Sequence, residues 1–83
     1  MILLYQGPGA LITDEVFEAL TPTRNTFRIK ELRYIHVVRG RPAEIRALHN
    51  GRLVVLFRTR DRLEFGQVER ALLRALERLE DAS

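Results

Sequence analysis

The order of apolar and polar positions divides the chain into a series of short extended segments followed by one helical stripe. An opening apolar run, Met1 to Tyr5, is broken by Gly7-Pro8-Gly9, a tight-turn signal. Residues 10–13 read as a second strand, and Asp14-Glu15 form a polar link to residues 16–20. That third segment fits a strand by its turn spacing, and it also fits a helical turn opened by Asp14. A loop over residues 21–25, containing Pro22, comes next.

From Thr26 onward the period-two signal strengthens. Phe27 and Ile29 alternate with Arg28 and Lys30, the pattern slips at Glu31-Leu32, and Ile35 and Val37 then alternate with Tyr34 and His36. A slip of one residue sends side chains to the opposite face, so a bulge or corner is expected near Glu31. Gly40 and Pro42 end this strand. The sharpest local signal is Asn50-Gly51 between residues 43–49 and 52–58. A type I′ turn needs positive φ at both central positions, which Asn and Gly tolerate best. A two-residue loop then pairs His49 with Arg52, Ala47 with Val54 and Ile45 with Leu56. One face would carry Ile45, Ala47, Val54 and Leu56, and the other Leu48, Leu53, Val55 and Phe57 beside Glu44 and Arg46. Both faces are apolar, one more than a single covering helix can bury.

The last segment is helical. Asp61 followed by Glu64 has capping-box spacing, with acidic groups at the positive end of the helix dipole. Phe65, Val68, Leu72, Ala75, Leu76 and Leu79 recur at helical spacing and predict a helix over about 62–80. Leu73 lies off that stripe, and Gly66 points to a close approach of helix to sheet. The fold class is therefore α+β: an antiparallel meander or partly open barrel of six or seven short strands closed by one C-terminal helix.

Length and composition narrow the rest. Eighty-three residues suit one domain with a small core, the kind that often leans on a disulfide, a metal or a partner chain. Cysteine is absent, which removes disulfides and thiolate-held metals. His36 and His49 are too far apart for a helical ligand pair, so a second chain is the remaining support and no cofactor is expected. The opening run has no basic n-region and is too short for a signal peptide, and no apolar stretch approaches a membrane span. A soluble, cytoplasmic protein is the expectation.

Catalytic sets are missing. The only serine is the terminal Ser83, Gly7-Pro8-Gly9 lacks the Lys-Ser/Thr of a phosphate loop, and Asp14, Glu15 and Glu18 are explained by a polar turn. We therefore expect no enzyme. The net charge is +3, and thirteen of the fourteen basic residues are arginine, a bias that matches coding in a GC-rich genome. On the final helix Arg70, Arg74 and Arg78 form a ridge interleaved with Glu69, Glu77 and Glu80, with Arg74 in reach of Glu77. A denser run of seven arginines over residues 39–62 meets only Glu44 and Asp61, a local net charge of +5.

Several segments resemble an actinobacterial protein family of unknown function. They are Phe27-Arg28-Ile29-Lys30-Glu31-Leu32-Arg33 with Val37-Val38-Arg39-Gly40, Leu56-Phe57-Arg58-Thr59-Arg60-Asp61, and above all Glu64-Phe65-Gly66-Gln67-Val68-Glu69-Arg70-Ala71-Leu72-Leu73-Arg74-Ala75. Members of that family often carry membrane segments where this chain has residues 41–50, a stretch that cannot span a bilayer. The family has no assigned activity, so the resemblance implies a domain and transfers no site residues. Separately, short antiparallel strands closed by a C-terminal helix are similar to the pleckstrin-homology-like architecture, an analogy of topology that carries no ligand.

Two function classes follow. The first is a non-catalytic protein-interaction module that self-associates, as a dimer, through Leu48, Leu53, Val55, Phe57 and Leu73. The second is an anion-binding module for nucleic acid or acidic lipid head groups, using Arg39, Arg41, Arg46, Arg52, Arg58 and Arg60.

Overall fold

A computed structural model describes residues 1–21 and 23–82; Pro22 and Ser83 lie outside the described residues. Seven antiparallel strands form two sheets. Strands β1 (Leu3–Gln6), β2 (Ala10–Thr13), β3 (Val16–Ala19) and β4 (Asn25–Arg28) pair in chain order as one sheet. Strands β5 (Leu32–Val38), β6 (Ala43–His49) and β7 (Arg52–Thr59) form the second. The sheets do not close into a barrel. Helix α1 (Arg62–Ala82) packs on both. No helix among the described residues is long and apolar enough to cross a membrane.

Local chemistry explains each corner. The Thr13 hydroxyl accepts the Glu15 and Val16 N–H groups at 3.1 and 3.0 Å, a side-chain turn that sends residues 16–19 back as a strand instead of a helical turn. At the predicted slip the chain makes a short 3-10 turn, Ile29–Glu31, which carries it from the first sheet to the second. Ile29, its first residue, and Leu32, just after it, are both buried, so the slip is how two core side chains stay inside while the chain changes sheet. Asn50 and Gly51 take φ of 53° and 82°, and His49 pairs with Arg52, as the hairpin signal requires.

Further along this hairpin the register departs from the expected one. Ile45 faces Phe57, not Leu56, because the ladder shifts between Ile45 and Arg46 and leaves Leu56 as the extra residue of a β-bulge. Leu56 and Phe57 are 1% and 4% exposed, so both enter the core although they are sequence neighbours. A regular strand would have put one of them on each face. Strand β5 has a similar irregularity between Arg33 and His36, where Tyr34 takes a φ of 54° and points to solvent.

The core lies between the sheets and the helix. Ala10, Ile12 and Phe17 come from the first sheet, Ile45, Ala47, Leu56 and Phe57 from the second, and Phe65, Val68, Leu72 and Ala75 from α1. The apolar helix stripe is thus core, as its spacing predicts.

The helix start is capped differently from the expected capping box. Asp61 Oδ1 accepts the Leu63 and Glu64 N–H groups at 3.0 and 3.2 Å, but Glu64 does not reach back to Asp61. The Asp61 N–H instead donates to the Thr59 hydroxyl. Glu64 Oε2 accepts the Tyr5 hydroxyl and the Gly9 N–H, each at 3.1 Å, and so ties the β1–β2 turn to the helix. The close approach expected at Gly66 occurs at Gly9. A Cβ on Gly9 would lie 3.0 Å from the Phe57 ring and 3.2 Å from the Glu64 carboxylate, whereas one on Gly66 would meet only the Arg70 guanidinium at 3.5 Å.

Candidate interaction surface

Pairing partners across an antiparallel ladder project to the same face, which defines the outer face of the β5–β6–β7 sheet. Arg33, Leu48 and Leu53 form one row, His36, Arg46 and Val55 the next, and Val38, Glu44 and Arg58 the third. The adjacent residues Ile45, Ala47 and Phe57 point to the core and α1, so the helix lies on the other side. Leu53 is 66% and Val55 46% exposed, with Leu48 half-buried beside them.

The five residues expected to self-associate are therefore separated. Leu48, Leu53 and Val55 share the outer face. Phe57 does not: the bulge turns it into the core. Leu73 is 47% exposed but belongs to α1, on the opposite side of the sheet. No periodicity could have found the bulge, because Leu56-Phe57-Arg58 fits either register.

The arginine run is divided as well. Arg46 and Arg58 converge on Glu44, with shortest contacts of 2.6 Å to each of its oxygens. Glu44 is 7% exposed, and these bonds, from Arg46 first and then Arg58, hold its carboxyl below the usual carboxylate range against an opposing desolvation. Arg33 folds back onto the Lys30 and Leu32 carbonyls at 2.7 and 2.9 Å. Arg52 stands at the 50–51 hairpin tip, and Arg60 is at the far end of the same strand. Arg39 and Arg41 line a recess with Arg62, at the start of α1. The six arginines expected to bind one anionic partner thus occupy four places.

On the helix, Glu69 pairs with Arg39 of the second sheet at 3.1 Å. Among the described residues no ion pair joins Arg74 to Glu77. His49 Nε2 lies 3.0 Å from Glu31 and its ring meets Phe27 edge-on at 5.2 Å, while His36 is exposed. Asp14 accepts the Ile2 N–H at 2.9 Å, and Glu18 pairs with Arg24 at 3.2 Å. His49, Asp14, Glu18 and Glu69 thus have structural partners within the chain.

Compared with known proteins, the chain matches no family model, no curated protein and no solved structure. The class these observations define is a small α+β protein of two open antiparallel sheets and one helix.

Proposed function

We propose that this protein is a non-catalytic interaction module that self-associates through the outer face of the second sheet. The observation that carries the proposal is the contiguous apolar trio Leu48, Leu53 and Val55 on a sheet face that no element among the described residues covers. Charge on that face supports a second copy as the occupant. Glu44 holds Arg46 and Arg58, and Arg33 is turned onto its own backbone, so three flanking cations are already engaged within each chain. Glu44 neutralises one of these three charges, which lowers the repulsion between two such faces and leaves them net positive. A two-fold contact would set Leu53 and Val55 of each copy against the other.

Three side chains cover only part of the ~800 Å² per partner that a stable interface buries, so the association is a weak one. Light scattering across a wide concentration range tests it. The mass should rise toward two chains at high micromolar concentration, and Leu53→Arg should abolish the rise. A strict monomer throughout sinks the proposal.

The order of four meandering strands, three meandering strands and a terminal helix supports the likeness in topology to pleckstrin-homology-like domains, whereas the likeness to the actinobacterial family rests on its sequence segments alone. We retain both likenesses as part of this reading.

A further inference from the structure

The recess between the β5–β6 loop and the first turn of α1 is lined by Arg39, Arg41 and Arg62, with Gly40, Ala43, Phe65 and Gly66. Its volume is about 520 Å³, within the range of small-ligand sites. Arg41 and Arg62 have no carboxylate partner among the described residues, and Arg39 is held only by Glu69. Asp61, the acidic neighbour of Arg62, uses its carboxylate on the Leu63 and Glu64 N–H groups. Three arginines therefore line one recess, and the two carboxylates beside them, Glu69 and Asp61, are both already engaged. The positive end of the α1 dipole adds to the same field.

We infer that this recess is a binding site for a small phosphate monoester. A monoester is close to a dianion at neutral pH and offers three acceptor oxygens, one for each guanidinium, which a carboxylate cannot match. Gly40 and Gly66 carry no side chain to narrow the mouth, and Ala43 and Phe65 add apolar lining for the group bearing the phosphate. The site lies away from the Leu48, Leu53 and Val55 face and is independent of the self-association proposal. Leu63, 70% exposed beside Arg62, makes a lipid head group as fitting a source as a free metabolite.

Nuclear magnetic resonance titration of the intact chain with glycerol phosphate at low salt tests the inference, reading the Gly40 and Gly66 amides. Saturable shifts are expected there. Affinity should fall at least about tenfold in the Arg41→Gln/Arg62→Gln double variant. It should remain unchanged in Arg52→Gln, at the distant hairpin tip. Glu69→Gln, which frees Arg39, should tighten binding severalfold, a gain that loss of folding cannot produce.

A parallel arm uses phosphatidylcholine vesicles with and without phosphatidic acid. Binding to the phosphatidic acid vesicles alone, sensitive to the same double variant, assigns a lipid source. The inference is overturned if neither probe binds, if chloride at equal ionic strength competes as well as the monoester, or if Arg52→Gln weakens binding as much as the double variant.

Discussion

Glu64 hydrogen-bonds the β1–β2 turn to the helix, and its removal gives the sharpest test of the architecture. In Glu64→Ala the Tyr5 hydroxyl and the Gly9 N–H both lose their acceptor. A hydrogen bond to a charged group contributes ~1.5–3 kcal/mol, toward the low end where water has access, as it has at half-buried Tyr5. Gly9 is buried, so its N–H would be stranded at a cost of ~1–3 kcal/mol. Together the loss is about 2–4 kcal/mol. For a domain of this size that corresponds to roughly 8–30 °C in Tm.

Glu64→Gln retains an acceptor without the charge and should lose about half as much. Chemical denaturation of the parent, Glu64→Ala, Tyr5→Phe and the double variant supplies the coupling directly, expected near 1 kcal/mol. An independent readout is the Tyr5 phenol. Burial first, then the hydrogen bond and negative charge of Glu64, raise it above its ordinary value of 10.0. The chain has two tyrosines, so in a Tyr34→Phe background absorbance titration sees Tyr5 alone. Glu64→Gln should bring that value down without reaching the ordinary one, because burial persists. The reasoning fails if Glu64→Ala stays within ~0.5 kcal/mol of the parent, the range of ordinary surface changes, or if the two single losses add without coupling.

Three further outcomes follow from the same structure. Phe57→Ala should cost about 3–5 kcal/mol by calorimetry, as for a core aromatic, while Val55→Ala next to the bulge should cost under about 1 kcal/mol; equal costs would put the bulge elsewhere. Gly66→Ala should stabilise by up to about 1 kcal/mol, since its Cβ meets only a flexible guanidinium, and Gly9→Ala should destabilise by about 1–3 kcal/mol through overpacking against Phe57. The carboxyl of Asp14 is lowered first by the Ile2 N–H, that of Glu44 first by Arg46. Folded values below the unfolded ones mean stability that is complete above the unfolded pKa and lost as pH falls through the folded one. Tm should therefore drop as pH falls below about 4.5, the ordinary glutamate value, and Glu44→Gln should flatten part of that drop; a Tm constant down to strong acid refutes this.

What the sequence determined is what neighbouring residues decide among themselves. The Asn50-Gly51 turn, the Asp61 cap, the apolar stripe from Phe65 to Leu79 and the seven strand segments all rest on local φ preference or a fixed side-chain period, and all stand in the structure. The slip at Glu31 was legible as a corner, though not as a crossing between sheets. Tertiary structure alone decided which residues share a face. Leu56-Phe57 permits either register, and only the volume between two sheets and a helix makes burying both preferable to exposing one. The same holds for Glu64, whose spacing from Asp61 fits a capping box but whose carboxylate goes to Tyr5 and Gly9, groups that chain folding brings from the other end of the sequence. Even the arginine run, continuous in sequence, is separated because a hairpin sends its members to opposite ends of a sheet. Side-chain period is a local property, whereas the choice of partner is settled by burial across the whole fold.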